Sequence, residues 1–336
     1  MSTWIPSIRS AVSWKTRDGT LTAEYRHIPV LLHECIDALA LYDGATALDC
    51  TLGGAGHSEA IARSIAPHGT LIGIDQDDMA LEAARKRLDS AGLDSDPILL
   101  KGNFADLDEL LVVARVPGVD AVLFDLGVSS PQFDFPERGF SYREDAPLDM
   151  RMDPSTHTLT AAEILNSYTT DDLARVLREY GEEKWAARIA RFIVDARCEQ
   201  PVNSTFQLVD IIKRAIPASA RKKGGHPAKR TFQALRIEVN HELDVLSRGL
   251  EAAIRWLNPG GRIAVISYHS LEDRIVKDCF RRMENPCTCP PELPVCVCGK
   301  KPVLKVETRK PLVPAADEIE ENNRAHSARL RVATKL

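Results

Sequence analysis

Three acids in this sequence stand where short apolar runs end. Asp49 follows Thr46-Ala47-Leu48, Asp75 follows Thr70-Leu71-Ile72-Gly73-Ile74, and Asp125 follows Val119 to Phe124. Between the first two lies Thr51-Leu52-Gly53-Gly54-Ala55-Gly56-His57. Glycine has no Cβ and adopts positive φ at little cost, so such a turn lets backbone approach a ligand closely. The turn also aims the N-terminus of the next helix at whatever sits there. An acid closing the second strand is placed to accept hydrogen bonds from both hydroxyls of a ribose. On these residues alone, a nicotinamide dinucleotide fits nearly as well as S-adenosylmethionine.

The elements that must position these groups alternate from about Tyr25. Strands are expected at 46–50, 70–74, 97–100 and 119–124, with helices at 58–65, 79–88 and 107–113 between them. Continuous apolar strands separated by helices imply a parallel sheet covered on both faces, the doubly wound nucleotide-binding architecture. After Phe124 the alternation stops. Residues 134–230 read as an inserted all-helical domain. Thr160 with Glu163 and Thr169 with Asp172 have the spacing of capping boxes. Leu173, Val176, Leu177 and Tyr180 form one apolar stripe, Trp185, Ile189, Phe192 and Ile193 a second, and Leu208, Ile211, Ile212 and Ala215 a third. A single long helix is expected over 231–257, weakened at Gly249. A turn follows at Asn258-Pro259-Gly260-Gly261, then a strand at 262–267, a helix at 271–283 and a closing strand at 328–332. The sheet domain thus comprises 25–133 and 231–336, and residues 1–24 form an N-terminal extension expected to be disordered.

Three features favour a methyl donor over a nicotinamide. The glycine spacing does not match the G-x-G-x-x-G dinucleotide fingerprint. Asp49 precedes the loop, where it can face the cationic end of a sulfonium-bearing amino acid. Leu257 to Gly261, followed by a strand, resembles the late turn of the common methyltransferase fold.

Longer motifs narrow the reading. These are Asp125-Leu126-Gly127-Val128-Ser129-Ser130-Pro131-Gln132, Arg138-Gly139-Phe140-Ser141, Pro147 to Asp153, Arg230-Thr231-Phe232-Gln233-Ala234 and His269-Ser270-Leu271-Glu272-Asp273-Arg274. With the opening His27-Ile28-Pro29-Val30-Leu31-Leu32, they resemble the bacterial 16S ribosomal RNA small-subunit cytosine-N4 methyltransferase family, from about residue 25 to the C-terminus. The resemblance implies a Rossmann-like class I methyltransferase fold and methylation of a cytidine at the decoding centre of 16S rRNA. It implies a donor site formed by Ala55, Gly56, His57, Asp75, Phe104, Asp125 and Gln132. For Phe104 this means packing against adenine, where an ordinary core aromatic is the alternative; His57 is otherwise an ordinary helix-start residue. The small ribosomal subunit is the implied partner, with neither DNA nor a membrane expected. Two other readings stay open: an amino-methyltransferase acting on another nucleic acid, and a non-catalytic ribosome assembly factor on the same fold.

Methyl transfer is an in-line displacement that needs positioning more than an acid or a metal. The N4 lone pair of cytosine is delocalised into the ring, so acceptors on the two N4 hydrogens would localise it and later take a proton. A carboxylate ending the fourth strand suits that task, which makes Asp125 the catalytic candidate, although the resemblance favours donor contact there. DNA amino-methyltransferases carry S/D/N-P-P-Y at this place, and this chain lacks their stacking tyrosine. His269 and Asp273 are expected either to line the base pocket or to cap a helix. Arg221, Lys222, Lys223, Lys229 and Arg230 fall within ten residues that hold no acid, and are read as phosphate contacts at the entrance. A target base must be unpaired or flipped out to reach a buried pocket.

The net charge of −5 over 336 residues argues against non-specific coating of nucleic acid. No stretch approaches the roughly 18 apolar residues of a membrane helix. There is no apolar signal segment, so a reducing cytoplasm is expected for a chain with eight cysteines. Cys287, Cys289, Cys296 and Cys298 form C-x-C-x6-C-x-C. Four thiolates at that spacing can hold tetrahedral zinc. The spacing is tighter than the usual C-x2-C, however, and the chemistry needs no metal, so no metal ligand is assigned and the question stays open.

Overall fold

The computed structural model describes residues 29–128, 135–156, 158–221, 225–290 and 297–336. Seven strands form one sheet: β1 Thr46–Asp49, β2 Thr70–Asp75, β3 Ile98–Lys101, β4 Val119–Asp125, β5 Leu257–Ser267, β6 Leu304–Val306 and β7 Arg329–Lys335, in the order β3-β2-β1-β4-β5-β7-β6. The first five run parallel, and β7 inserts antiparallel beside β5. Side chains alternate across this sheet with the two-residue strand period. Leu48, Ile72, Val122, Phe124, Ile263 and Val265 face one layer of helices. Ala47, Leu71, Ala121, Leu123, Ala264 and Ile266 face the other. Burial on both faces explains why the strands read as unbroken apolar runs.

Helices α1 Leu32–Leu39, α2 Gly56–Ile65 and α3 Asp78–Ser90 cover the second face. The first is covered by α4 Leu107–Val113 and two later helices. Because β1 leads outward to β2 while β4 lies on its other side, the chain reverses direction between β1 and β4. Ligands of open parallel sheets bind in that crevice, at the carboxyl ends of the strands.

The insert contributes α5 Ala161–Ser167, α6 Thr170–Glu179, α7 Ala186–Glu199, α8 Thr205–Ala215 and α9 Ala218–Arg221. Thr160 and Glu163 make the full reciprocal capping box. Thr169 accepts from the Asp172 amide, and its hydroxyl donates to the Asp172 carboxylate at 2.6 Å, so the shorter acid caps the side chain rather than the backbone. The expected stripes form the insert's core: Leu173, Val176, Leu177, Ile189, Ile193, Leu208 and Ile212 are buried together.

The long helix expected over 231–257 is two. α10 Lys229–Asn240 ends at His241, which adopts a left-handed φ of 49°, and α11 Glu242–Trp256 starts there. α10 packs Phe232, Leu235 and Val239 into the insert's core, whereas α11 packs Leu246 and Leu250 against the sheet. Nothing in the side-chain pattern marks this break, because both halves keep helical periodicity. Gly249 is no weak point either. A Cβ there would lie 2.4 Å from a ring carbon of Phe104, so the glycine admits that ring. The expected turn at 258–261 is a bulge inside a longer β5, whose Leu257 pairs with Val119 and Arg262 with Ala121. α12 Ser270–Glu284, β6, α13 Ala316–Glu321 and β7 complete the chain. Among the described residues, no helix is long and apolar enough to cross a membrane.

Candidate active site

A cleft of about 670 Å³ opens at the carboxyl ends of β1, β2, β4 and β5, between the sheet and the insert. All three strand-end acids line it. Asp49 is buried, accepting from the Ser58 hydroxyl at 2.6 Å and the Thr51 amide at 3.0 Å. Burial raises its carboxyl above the ordinary range, against those bonds. The Thr51 hydroxyl accepts from the Asp125 amide at 2.6 Å, tying the glycine turn to the end of β4.

Asp75 takes one backbone N–H on each oxygen, Gly53 at 2.8 Å and Asp77 at 2.9 Å. Each oxygen keeps a lone pair for a further donor. Burial pushes this carboxyl up to about 6, against those two bonds. The glycine turn above it closes through Gly53 (φ 47°) and Ala55 (φ 56°). Ala55 is fully buried, and a left-handed alanine costs energy that the surrounding packing must hold in place. Gly56 begins α2 where a Cβ would stand 2.5 Å from Pro29. Phe104 lines the opposite wall, edge to face with Phe124 at 5.3 Å.

Asp125 faces the cleft at the end of β4. Tyr268 donates its hydroxyl to Oδ1 at 2.7 Å. His57 places Nδ1 3.5 Å from Oδ2, while its Nε2 lies 3.0 Å from the Val30 carbonyl. A carbonyl only accepts, so the His57 proton sits on Nε2 and Nδ1 turns a lone pair to Asp125. Burial holds His57 neutral by lowering its pKa. Burial also pushes the Asp125 carboxyl up to about 7, the Tyr268 bond pulling down and the Glu272 charge adding to the rise.

Sequence reasoning missed Tyr268. It stands just past β5 on the ligand edge, and its ring lies against Gly127, where a Cβ would approach it to 3.3 Å. An aromatic residue directly after the fifth strand was the signal available.

The other motif residues build the frame. Arg138 donates to Asp77 at 2.9 Å and to the carbonyls of Arg151 and Met152, fastening the insert to the loop after β2. Asn240 bridges the Met150 carbonyl and the Met152 amide. His269 caps α12 in a reciprocal box with Glu272 while lining the cleft. Asp273 is a correction to the base-pocket expectation: it pairs with Arg331 at 2.7 and 3.0 Å and with Arg329 at 3.3 Å. Glu242, His269 and Glu272 bring potential ligand atoms within 4.8 Å, but Arg236 already makes two 2.7 Å bonds to Glu242. Glu272 is buried, which raises its carboxyl, yet His269 and Arg236 hold it below the ordinary range.

Of the expected basic residues, Lys229 is exposed on the cleft and Arg230 donates to the Glu182 carbonyl. Lys222, Lys223 and the donor-site candidate Gln132 lie outside the described residues. A further groove of about 840 Å³ runs along the insert between α7 and α9. It mixes Lys213, Arg214 and Arg221 with Glu199 and Asp210 and holds none of the strand-end acids.

The cleft suits the donor by its chemistry. Asp75 offers acceptors for a ribose, Phe104 a wall for a flat base, and the buried Asp49 a negative charge behind the glycine turn. A sheet in this strand order with these groups at its carboxyl edge defines a class I methyltransferase that uses S-adenosylmethionine. A family model described as the MraW methylase family matches residues 24–336. The ribosomal RNA small subunit methyltransferase H of Symbiobacterium thermophilum is 56% identical, over 93% of this chain and 97% of its own. The protein of the same name from Heliobacterium mobile is 53% identical over 93% of this chain and all of its own. Among solved structures, an rRNA methylase from Streptococcus thermophilus covers 92% of this chain and 99% of its own, at 12% identity and a TM-score of 0.42. The chain belongs to the MraW methylase family.

Proposed function

We propose that this methyltransferase transfers a methyl group to N4 of one cytidine at the decoding centre of 16S rRNA, within the small ribosomal subunit. The observation that carries the reading is the Asp125 carboxylate at the end of β4, oriented by Tyr268 and flanked by His57 on the cleft wall. The relatives' name, ribosomal RNA small subunit methyltransferase H, and the motif resemblance support the substrate.

S-adenosylmethionine supplies the electrophilic methyl; Ala55, Gly56, His57, Asp75 and Phe104 are proposed to hold it. The rest is work for the chain's own groups. N4 gains a methyl and loses a proton, so the site must accept hydrogen bonds from N4 and then take that proton. Asp125 has both capacities, because its raised pKa makes it a stronger base than an exposed carboxylate. Tyr268 fixes which oxygen remains available for N4. Tyr142 stacks on His226 with ring centroids 4.4 Å apart and planes nearly parallel, and lines the same cleft. Such a surface suits an unstacked base, which is how single-stranded RNA is commonly gripped.

The test is transfer of labelled methyl into small subunits from a strain lacking the chain, followed by nucleoside analysis. Label in N4-methylcytidine at one decoding-centre position is expected. Label in another nucleoside, or none in subunits, overturns the proposal.

A further inference from the structure

α12 starts at the ligand edge of the sheet, and β6 starts at the opposite, amino edge, where Leu304 pairs with Lys335, so the described residues next to these two elements lie away from the cleft. None of them, 285–290 and 297–303, is buried. An apolar core does not order this stretch, and ordering it costs roughly 1–2 kcal/mol per residue in backbone entropy. Yet three side chains from its two ends meet. The sulfur atoms of Cys287, Cys289 and Cys298 all lie within 4.8 Å of one another. Those of Cys287 and Cys298 are 3.9 Å apart. An ion bound to tetrahedral thiolates at about 2.3 Å sets its sulfurs about 3.8 Å apart. The Val297 amide also donates to Cys289 Sγ at 3.4 Å, the kind of backbone bond that supports a sulfur ligand from outside the coordination shell.

Of the other described cysteines, Cys198 is exposed on α7. Cys35, Cys50 and Cys279 are buried among apolar side chains. Cys287 is exposed, and Cys289 and Cys298 are half-buried.

We propose that Cys287, Cys289 and Cys298 bind one zinc ion that ties residues 285–290 to residues 297–303, with no part in methyl transfer. Thiolates select soft or borderline ions, and zinc accepts tetrahedral sulfur coordination without redox chemistry. A cluster of several irons would spread its cysteine sulfurs farther than a single ion does. On binding, each thiol gives its proton to solvent and forms one sulfur–zinc bond. Lys300 and Lys301, two and three residues beyond Cys298, supply positive charge close in sequence to the anionic centre. Cys296, spaced from Cys298 as Cys287 is from Cys289, lies outside the described residues.

The test uses the full chain, purified under reducing conditions without a metal-binding tag after growth with added zinc. Elemental analysis should find one zinc per chain. Cobalt in its place should give the visible bands and sulfur-to-cobalt charge transfer of a tetrahedral thiolate site. Cys287→Ser combined with Cys298→Ser should lose the metal and expose 285–303 to protease, with S-adenosylmethionine affinity unchanged. The proposal fails if zinc stays far below one per chain and cobalt titration gives no such spectrum. It fails equally if the metal found is iron, or if the double variant keeps its zinc. The wild-type measurements decide the matter should that variant not fold.

Discussion

Burial raises Asp75 and Asp125 as it raises Asp49, and the surroundings of the first two assign them different pH signatures. Asp75, at about 6, offers acceptors on both oxygens, with no O–H to compete, only when ionised. Donor affinity should therefore be flat from neutral to mildly alkaline pH and weaken as pH falls through about 6. Isothermal titration with S-adenosylmethionine across that range checks it. Asp75→Asn should bind the donor roughly 10–100-fold more weakly, the scale of a lost hydrogen bond to a charged group, and lose the pH dependence. Asp125, at about 7, must be ionised to take the N4 proton, so turnover on subunits should rise with pH through about 7. Asp125→Asn should lower kcat by about 10²–10⁴, as loss of a general base does, with little change in donor affinity. Equal losses in both would place Asp125 on the donor alone. Tyr268→Phe gives the sharper reading. Its hydroxyl favours the ionised carboxylate, so removing it should move the limb of the pH–rate profile upward, where a merely structural tyrosine would lower the rate without moving the limb.

At the scale of elements, the strands, the glycine turn and the acids were legible because each carries its own local signal. An apolar run closed by Asp needs no partner to be recognised. What escaped depends on contacts between segments far apart in the chain. Tyr268 becomes part of the site only because β5 lies beside β4, and 143 residues separate it from Asp125. The break at His241 is dictated by two different cores claiming α10 and α11, which no periodicity within the helix reveals. Gly249 shows the same effect: a residue that weakens an isolated helix is what admits the Phe104 ring. This contact makes a prediction. Gly249→Ala would force a Cβ to within 2.4 Å of that ring, so Phe104 must shift into the cleft or α11 must move. A stability loss of about 1–3 kcal/mol is expected from overpacking, measured by denaturant unfolding, along with weaker donor binding. If stability falls and donor affinity holds, Phe104 is a core aromatic and not a wall of the donor site.

For the molecule as a whole, net charge and local charge point in opposite directions. A chain carrying −5 is repelled by ribosomal RNA at long range, yet the cleft opening presents Arg143 and Lys229 exposed near Tyr142. Arg138 and Asn240 hold the insert against the sheet domain, so these cations are displayed on a fixed frame and not on a free loop. Binding to subunits should then rest on few phosphate contacts and strong shape complementarity. A shallow dependence of affinity on salt follows, because each neutralised phosphate contributes about one unit to the log–log slope. Lys229→Ala should reduce that slope by about one and weaken subunit binding at low salt, with donor affinity unaltered. Short RNA carrying the target sequence should compete poorly, since it offers the phosphates without the assembled surface. Titration of wild type and variant against small subunits at several salt concentrations measures both quantities. An unchanged slope in the variant would remove Lys229 from the interface, and equal affinity for the free RNA would overturn recognition of the assembled surface.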